Sequence, residues 1–413
     1  MANQELQTTG NGGTLQISAF SPGRGRPAPD TAVNVRNDRG ELVFSGITDS
    51  SGFLPPFVLQ APPAELSLEP TALKQGDPFS SYDLTAVSAL GERTDITGVQ
   101  IYSGQASRQN IVFPGQSDDI IIPDPGIMGR DPEKIPEPDQ KPLPPPENSV
   151  VLPQPVIPET VIVHAGVPSD KNAKDYYVGF REYIKNVACS EIYATWGDEA
   201  IKANVIAIIS FTLNRIFTEW YRGKGYSFTI TNSTAYDQAF TYGRNLFSRI
   251  SDIVDENFTL YITRRGASQP LLAQFCDGIR VNRSGWLSQW GAKELSDKGY
   301  DAMRILRYYY GQDIILKEAP KVEGIPVSFQ GVLNVGSRGA QVRVIQSQLN
   351  GISDNFPLIP KLAVDGIYGE KTAGAVKKFQ QIFGMPVTGI TDLATWYRIS
   401  DIYVAVKKLA ELD

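Results

Sequence analysis

The chain has 413 residues, 41% of them hydrophobic and 20% charged, with a formal net charge of -6. That length exceeds one ordinary core and suits two or three domains of roughly 100 to 150 residues. The acidic balance offers no basic surface for nucleic acid, which is not an expected partner.

The opening MANQELQTTGNGG shows neither the basic nor the apolar region of a signal peptide. The longest apolar run, around Val205 to Leu213, is far short of the roughly 20 residues that span a bilayer, so no membrane partner is expected. Cys189 and Cys276 cannot make a disulfide framework, and His164 as the single histidine leaves the chain poor in zinc ligands. The expectation is two free thiols, no metal and no cofactor.

From Thr14 to about Pro114, short apolar alternations such as TLQISAF, TAVNVRN and YDLTAVSA are broken by turn residues, which predicts an all-β sandwich. Asn37 to Gly40 and Thr48 to Gly52 fall between strands and supply the Asx-turn and positive-φ positions that hairpins need. The run TAVNVRNDRGELVFSGITDSSGF resembles the carboxypeptidase-regulatory-like or transthyretin-like sandwich. Residues 1–117 are assigned to this domain.

Residues 118–160 are so dense in proline that neither a helix nor a central strand can persist. The segment is a semi-extended linker: either a plain spacer or an exposed stretch that a protease cuts between Arg130 and Val151.

Residues 161–318 turn mostly helical and predict an α+β, helix-rich domain, with strands near NFTLYITRR and PLLAQFCDGI and a final helix from Gly291 to Tyr310. A long helix from Asp198 to Tyr221 sets Ala200, Ala203, Ala207, Phe211 and Asn214 on one stripe. If Arg181 to Ile192 is helical, Tyr183, Val187 and Glu191 stack at i, i+4 and i+8, which puts a carboxylate on an apolar face. Partial desolvation would keep such a glutamate protonated near neutral pH, ready to donate a proton to a glycosidic oxygen. The alternative is a solvated capping or ion-paired residue.

After a linker at 319–330, residues 331–413 form a small module of three helical stretches separated by glycine turns. Val342, Ile345 and Leu349 make the core stripe of its first helix. Leu333 to Leu349 reads L-x-x-G-x-x-G-x-x-V-x-x-x-Q-x-x-L, and V-D-G-x-x-G-x-x-T runs from Val364 to Thr372. With Phe379-Gln380 and Thr395-Trp396, this resembles the peptidoglycan-binding three-helix domain of wall hydrolases. Asp365, Tyr368 and Gln380 are its candidate glycan contacts.

The central run Y-I-x-x-V-x-x-x-E-x-x-x-x-W-x-x-E-A-x-x-A, Tyr183 to Ala203, is similar to the signature of the stage II sporulation protein D family of lytic transglycosylases, whose catalytic glutamate falls on Glu191. A second block matches at Gly285, Ser288, Gln289, Gly291 and Ala292, then at Ile305, Leu306, Tyr309, Tyr310 and Gly311. The order of the domains resembles clostridial spore cortex-lytic enzymes.

That resemblance implies a spore protein of the cortex or coat region, made as an inactive precursor and activated at germination by a subtilisin-like protease. It also implies cleavage of glycan strands to 1,6-anhydro-muramic ends. Ser288, Gln289 and Gln238 become candidates for orienting acetamido groups, and Asp237, Gln238 and Tyr242 for lining the groove; Tyr242 is equally explained by core packing. Glu199, in the first turn of the long helix, suits the helix dipole better than a second catalytic role. The rival readings are an N-acetylmuramoyl-L-alanine amidase and a non-catalytic wall-binding spore protein.

Overall fold

The computed structural model describes residues 11–21, 26–74, 76–113, 119–128, 134–138, 155–158, 160–320 and 332–392, with scattered positions up to 406. In chain order the first strands are β1 (Gly12–Phe20), β2 (Ala32–Arg36), β3 (Leu42–Ile47), β4 (Phe53–Gln60), β5 (Ser80–Val87), β6 (Arg93–Ile101), β7 (Ala106–Val112) and β8 (Ile120–Ile121). Then come β9 (Thr160–His164), β10 (Asp175–Gly179), α1 (Phe180–Glu191), α2 (Asp198–Phe217), β11 (Ile230–Thr231), β12 (Leu246–Phe247) and α3 (Ser248–Asn257). The remainder is β13 (Leu260–Arg264), β14 (Phe275–Cys276), β15 (Leu287–Ser288), α4 (Gln289–Asp297), α5 (Ala302–Tyr310), β16 (Ile314–Glu318), α6 (Ala340–Ser353) and α7 (Glu370–Ile382).

These elements fall into two compact units, each discontinuous in sequence. The first holds Met1–Ile122, Gly243–Arg249 and Ser328–Asp413; the second holds Pro123–Tyr242 and Ile250–Val327.

In the first unit a four-stranded sheet, β12-β7-β1-β4, and a five-stranded sheet, β3-β2-β5-β6-β8, enclose an apolar core around Leu15, Ile17, Val33, Leu84 and Ile111. β1 pairs parallel with β7 and antiparallel with β4, with a register shift between Leu15 and Ile17. The expected turns form: Asn37 Oδ1 accepts from the N–H groups of Arg39 and Glu41, and Asp49 Oδ1 from those of Ser51 and Phe53. Gly52, at φ +69°, is required there, because a Cβ would meet the Ala19 carbonyl oxygen at 2.2 Å.

The same unit contains the C-terminal module, in which α6 and α7 pack on one another and Thr395, Trp396, Arg398, Ile399, Ile402, Tyr403 and Val406 are helical. The rest of the expected third helix lies outside the described residues. The module sits against the sandwich rather than apart from it. Gln16 Nε2 donates to the carbonyls of Gln381 and Ile382 at 3.5 and 3.4 Å, and Arg108 Nη2 to that of Gly384 at 3.0 Å. These carbonyls lie at and just beyond the C-terminal end of α7, where the helix supplies no partner.

In the second unit α2 is the central rod, flanked by α1, α4, α5 and β13. It is the described helix long and apolar enough to cross a membrane, and 89% of its most apolar window is buried inside the protein. Its polar residues are satisfied locally: Ser210 Oγ donates to the Ile206 carbonyl and Thr212 Oγ1 to that of Ile208. Burial on all sides replaces the one-sided stripe expected of it. The expected single helix from Gly291 to Tyr310 is broken at Gly299, φ +81°, and Asp301 then caps α5 by accepting from Arg304 N.

Candidate active site

Glu191 is the last residue of α1, and only 5% of it is exposed. Val187 and Tyr183, one and two turns earlier, are wholly buried, so the stack at i, i+4 and i+8 carries the carboxylate inward from a packed face. Behind it the chain folds Tyr193 and Trp196 against Trp290, with ring centroids 5.9 and 5.0 Å from that indole.

Two N–H donors fix the carboxyl: Ala239 N donates to Oε1 at 2.9 Å, and Gln289 Nε2 donates to Oε2 at 3.2 Å. Each donor is itself held. Ser288 caps α4 by accepting from Gly291 N at 2.9 Å, which sets Gln289 at the helix start.

Ala239 is positioned by the two residues before it. Asp237 is fully buried, with Oδ1 2.6 Å from Arg215 Nε and Oδ2 accepting from Tyr221 Oη, Thr231 N and Thr231 Oγ1. Gln238, also fully buried, accepts from Tyr183 Oη and Thr212 Oγ1 and donates to the Ile208 carbonyl.

A cavity opens beside this carboxyl, lined by Gly126, Lys134, Glu191, Thr234, Phe275, Cys276, Asp277, Arg280, Val281, Trp286 and Gln289. The expected site residues therefore divide. Glu191 and Gln289 line the cavity, and Ser288 stands next to it as a cap. Asp237 and Gln238, expected in the groove, are instead its buried frame, because every polar side-chain atom they carry is engaged by protein.

Tyr242 is stacked on Tyr176 with centroids 4.4 Å apart. Glu199 accepts from Ala302 N at 2.6 Å and so holds the first turn of α5. His164, the one histidine of the sequence, lies on β9 with Nδ1 2.8 Å from Asp175. Among the described residues no group of three or more His, Cys, Asp or Glu is placed to hold a metal ion.

Two cavity residues have no signal in the sequence. Lys134 sits in a proline-rich linker that pattern reading treats as a solvated spacer. Asp277 follows Cys276 in a stretch of mixed character, and its Oδ1 accepts from Ile279 N and Arg280 N, which shapes the turn at the cavity mouth. Burial pushes the Cys276 thiol above its ordinary value. Burial also pushes the Lys134 ammonium down to about 8, against the pull of the Glu191 charge.

In the C-terminal module, Gln380 is fully buried and bonded to Thr388, Ile390, Thr395 and Gly389. Tyr368 is likewise fully buried, with Oη donating to the Gly389 carbonyl at 3.0 Å. Both are placed as framework rather than as the glycan contacts expected of them. Asp365 is the exposed one of the three, and its Oδ1 accepts from Gln346 Nε2 and Ile367 N.

Residues 338–399 match the PG_binding_1 family of peptidoglycan binding domains. The chain thus carries a module of a class that binds the bacterial wall polymer. It is 24% identical over 241 residues to the N-acetylmuramoyl-L-alanine amidase CwlL of Bacillus licheniformis, covering 57% of this chain and 63% of that protein. It is 35% identical over 72 residues to the zinc D-Ala-D-Ala carboxypeptidase of Streptomyces albus G, covering 17% and 27%. The chain spans less than two thirds of either relative. Among solved structures, 5-hydroxyisourate hydrolase from Klebsiella pneumoniae is 21% identical with a TM-score of 0.16, covering 25% of this chain and 92% of that one. At residues 338–399 the chain therefore contains a peptidoglycan-binding domain.

Proposed function

We propose that the second unit is a peptidoglycan lytic transglycosylase in which Glu191 is acid and then base. The observation that carries this reading is the carboxyl at a cavity, clasped at both oxygens by N–H donors, in a chain whose residues 338–399 match a peptidoglycan-binding family. Glu191 gives its proton to the bridging oxygen between N-acetylmuramic acid and N-acetylglucosamine, and the glycosidic bond breaks. The carboxylate then takes the proton of the muramic 6-hydroxyl, whose oxygen bonds to C1 of the same sugar. The product is a 1,6-anhydro end and a free N-acetylglucosamine hydroxyl. A hydrolase that admits water ordinarily uses two carboxylates, whereas intramolecular attack lets one suffice and gains from proximity.

The resemblance to spore cortex-lytic enzymes extends the reading to a precursor in the cortex or coat region, activated by a subtilisin-like protease at germination. The stretch in which cleavage is expected, Arg130 to Val151, lies outside the described residues apart from 134–138.

Similarity to the amidase favours a second reading, cleavage of the bond between muramic acid and L-alanine. Mass spectrometry of muropeptides released from purified cortex separates the two. Anhydro-muramic ends that disappear in Glu191→Gln support the first, and free stem peptides overturn it.

A further inference from the structure

Residues 134–137 belong to the linker, yet their side chains and backbone are bonded into the cavity of Glu191. Ile135 N donates to the Ala235 carbonyl at 2.7 Å, in the loop that also presents Ala239 N to Glu191. Gln274 Nε2, beside β14, donates to the Ile135 carbonyl at 3.5 Å. The segment is therefore bonded both to the loop that follows Thr234 and to the residue that precedes Phe275, and Thr234 and Phe275 line the cavity.

Glu137 anchors it, with carboxylate oxygens 3.0 and 2.7 Å from Nη1 and Nη2 of Arg215. Such a two-pronged pair is directional and strong. Lys134 lines the cavity beside it: 9% exposed, its Nζ lies 3.9 Å from the Phe275 ring centroid and 4.9 Å from that of Phe211, and it has no hydrogen-bond partner among the described residues. An ammonium buried without a hydrogen bond costs free energy, which only the ring faces and nearby carboxylates offset. A plug built this way is held by its anchor rather than by its tip, and losing the anchor frees it.

We propose that residues 134–137 are an autoinhibitory strap, occupying the place of the glycan strand beside Glu191 until the segment is displaced. The inference rests on the glycan-cutting reading of that cavity, and it assigns inhibition to the linker rather than to the β-sandwich. The proton transfers proposed for Glu191 use neither Lys134 nor Glu137. Arg215 keeps Asp237 and the Tyr236 carbonyl when Glu137 is removed.

The test uses the full-length chain with Lys134→Ala and, separately, Glu137→Ala. Cys276 lines the cavity and Cys189 is completely buried, so the rate of Cys276 alkylation by iodoacetamide reports whether the strap is seated. Both variants should label about ten-fold faster than the parent. In a Glu191→Gln background they should also bind N-acetylglucosamine tetrasaccharide about ten-fold more tightly by calorimetry. Labelling within about two-fold of the parent in both variants overturns the strap, and so does measurable saccharide binding that is equal in parent and variants. Faster labelling with no saccharide binding in any form keeps the strap as the cover of the cavity and removes the glycan-cutting reading instead.

Discussion

Gln289 Nε2 donates to Glu191 Oε2 at 3.2 Å across 98 residues of sequence, from the first turn of α4 to the last residue of α1. Through this bond the amide aims the carboxyl, which makes Gln289 a positioning residue. Gln289→Ala is expected to lower kcat by roughly 10 to 100-fold while leaving KM near that of the parent. Gln289→Glu should lower it further, because a second carboxylate would face the first. Muropeptide release at saturating and limiting cortex separates kcat from KM.

The turn that presents the cavity wall is equally exacting. Gly278 has φ +81°, and a Cβ there would lie 1.8 Å from Ser288 Oγ, the atom that caps α4. Gly278→Ala should displace that cap and with it Gln289, lowering activity about as much as Gln289→Ala, with a stability loss of about 1 to 3 kcal/mol by urea denaturation.

Asp237 and Arg215 form a fully buried pair at 2.6 Å. Asp237→Ala removes the partner of Arg215 Nε and three further hydrogen bonds, so a loss of about 3 to 5 kcal/mol is expected. Because Ala239 follows two residues on, activity should fall even at temperatures where the variant stays folded. Circular dichroism melts beside activity assays check both.

In the C-terminal module Gln380 satisfies buried groups around Thr388 to Thr395. Gln380→Ala is expected to destabilise the first unit by about 1 to 3 kcal/mol. Asp365→Asn, at an exposed carboxylate, should leave stability within about 0.5 kcal/mol. Cortex pull-down at low temperature then tests whether Asp365 contributes to binding.

Docking of the strap carries a pH dependence of definite sign. Seated, Lys134 titrates at about 8 rather than at the ordinary 10.5, chiefly because burial penalises the ammonium; Glu191 on α1 and Asp237 on the loop act to raise it, and Arg215 on α2 to lower it. Cys276 on β14 faces the same lysine, and its thiol is raised by burial. A group depressed on docking releases its proton as it docks, so docking is disfavoured by a constant amount below pH 8 and strengthens as pH rises from there toward 10.5. The full effect is about 3 kcal/mol. Trypsin cleavage after Lys134, normalised to a free peptide spanning residues 130–140, should therefore slow between pH 8 and pH 10. A cleavage rate that keeps pace with the peptide across that interval would contradict the docked lysine.

Local chemistry in the chain was enough to determine much of this protein. Alternation and Asx turns specify the strands and hairpins around Asn37 and Asp49, because such turns are made by residues two to four apart. Spacing placed Glu191 on a packed helix face, and the glycine-punctuated motif from Leu333 to Thr372 marked the module that matches a peptidoglycan-binding family.

The roles of individual polar residues were decided elsewhere. Asp237 and Gln238 are candidates for the groove in one dimension and framework in three, because what occupies a buried side chain is set by partners such as Arg215 and Thr212, more than twenty residues away. Lys134 and Glu137 read as solvated charges in a proline-rich spacer. Only the tertiary structure seats them at Phe275 and Arg215, since neither periodicity nor composition records where an extended segment comes to rest.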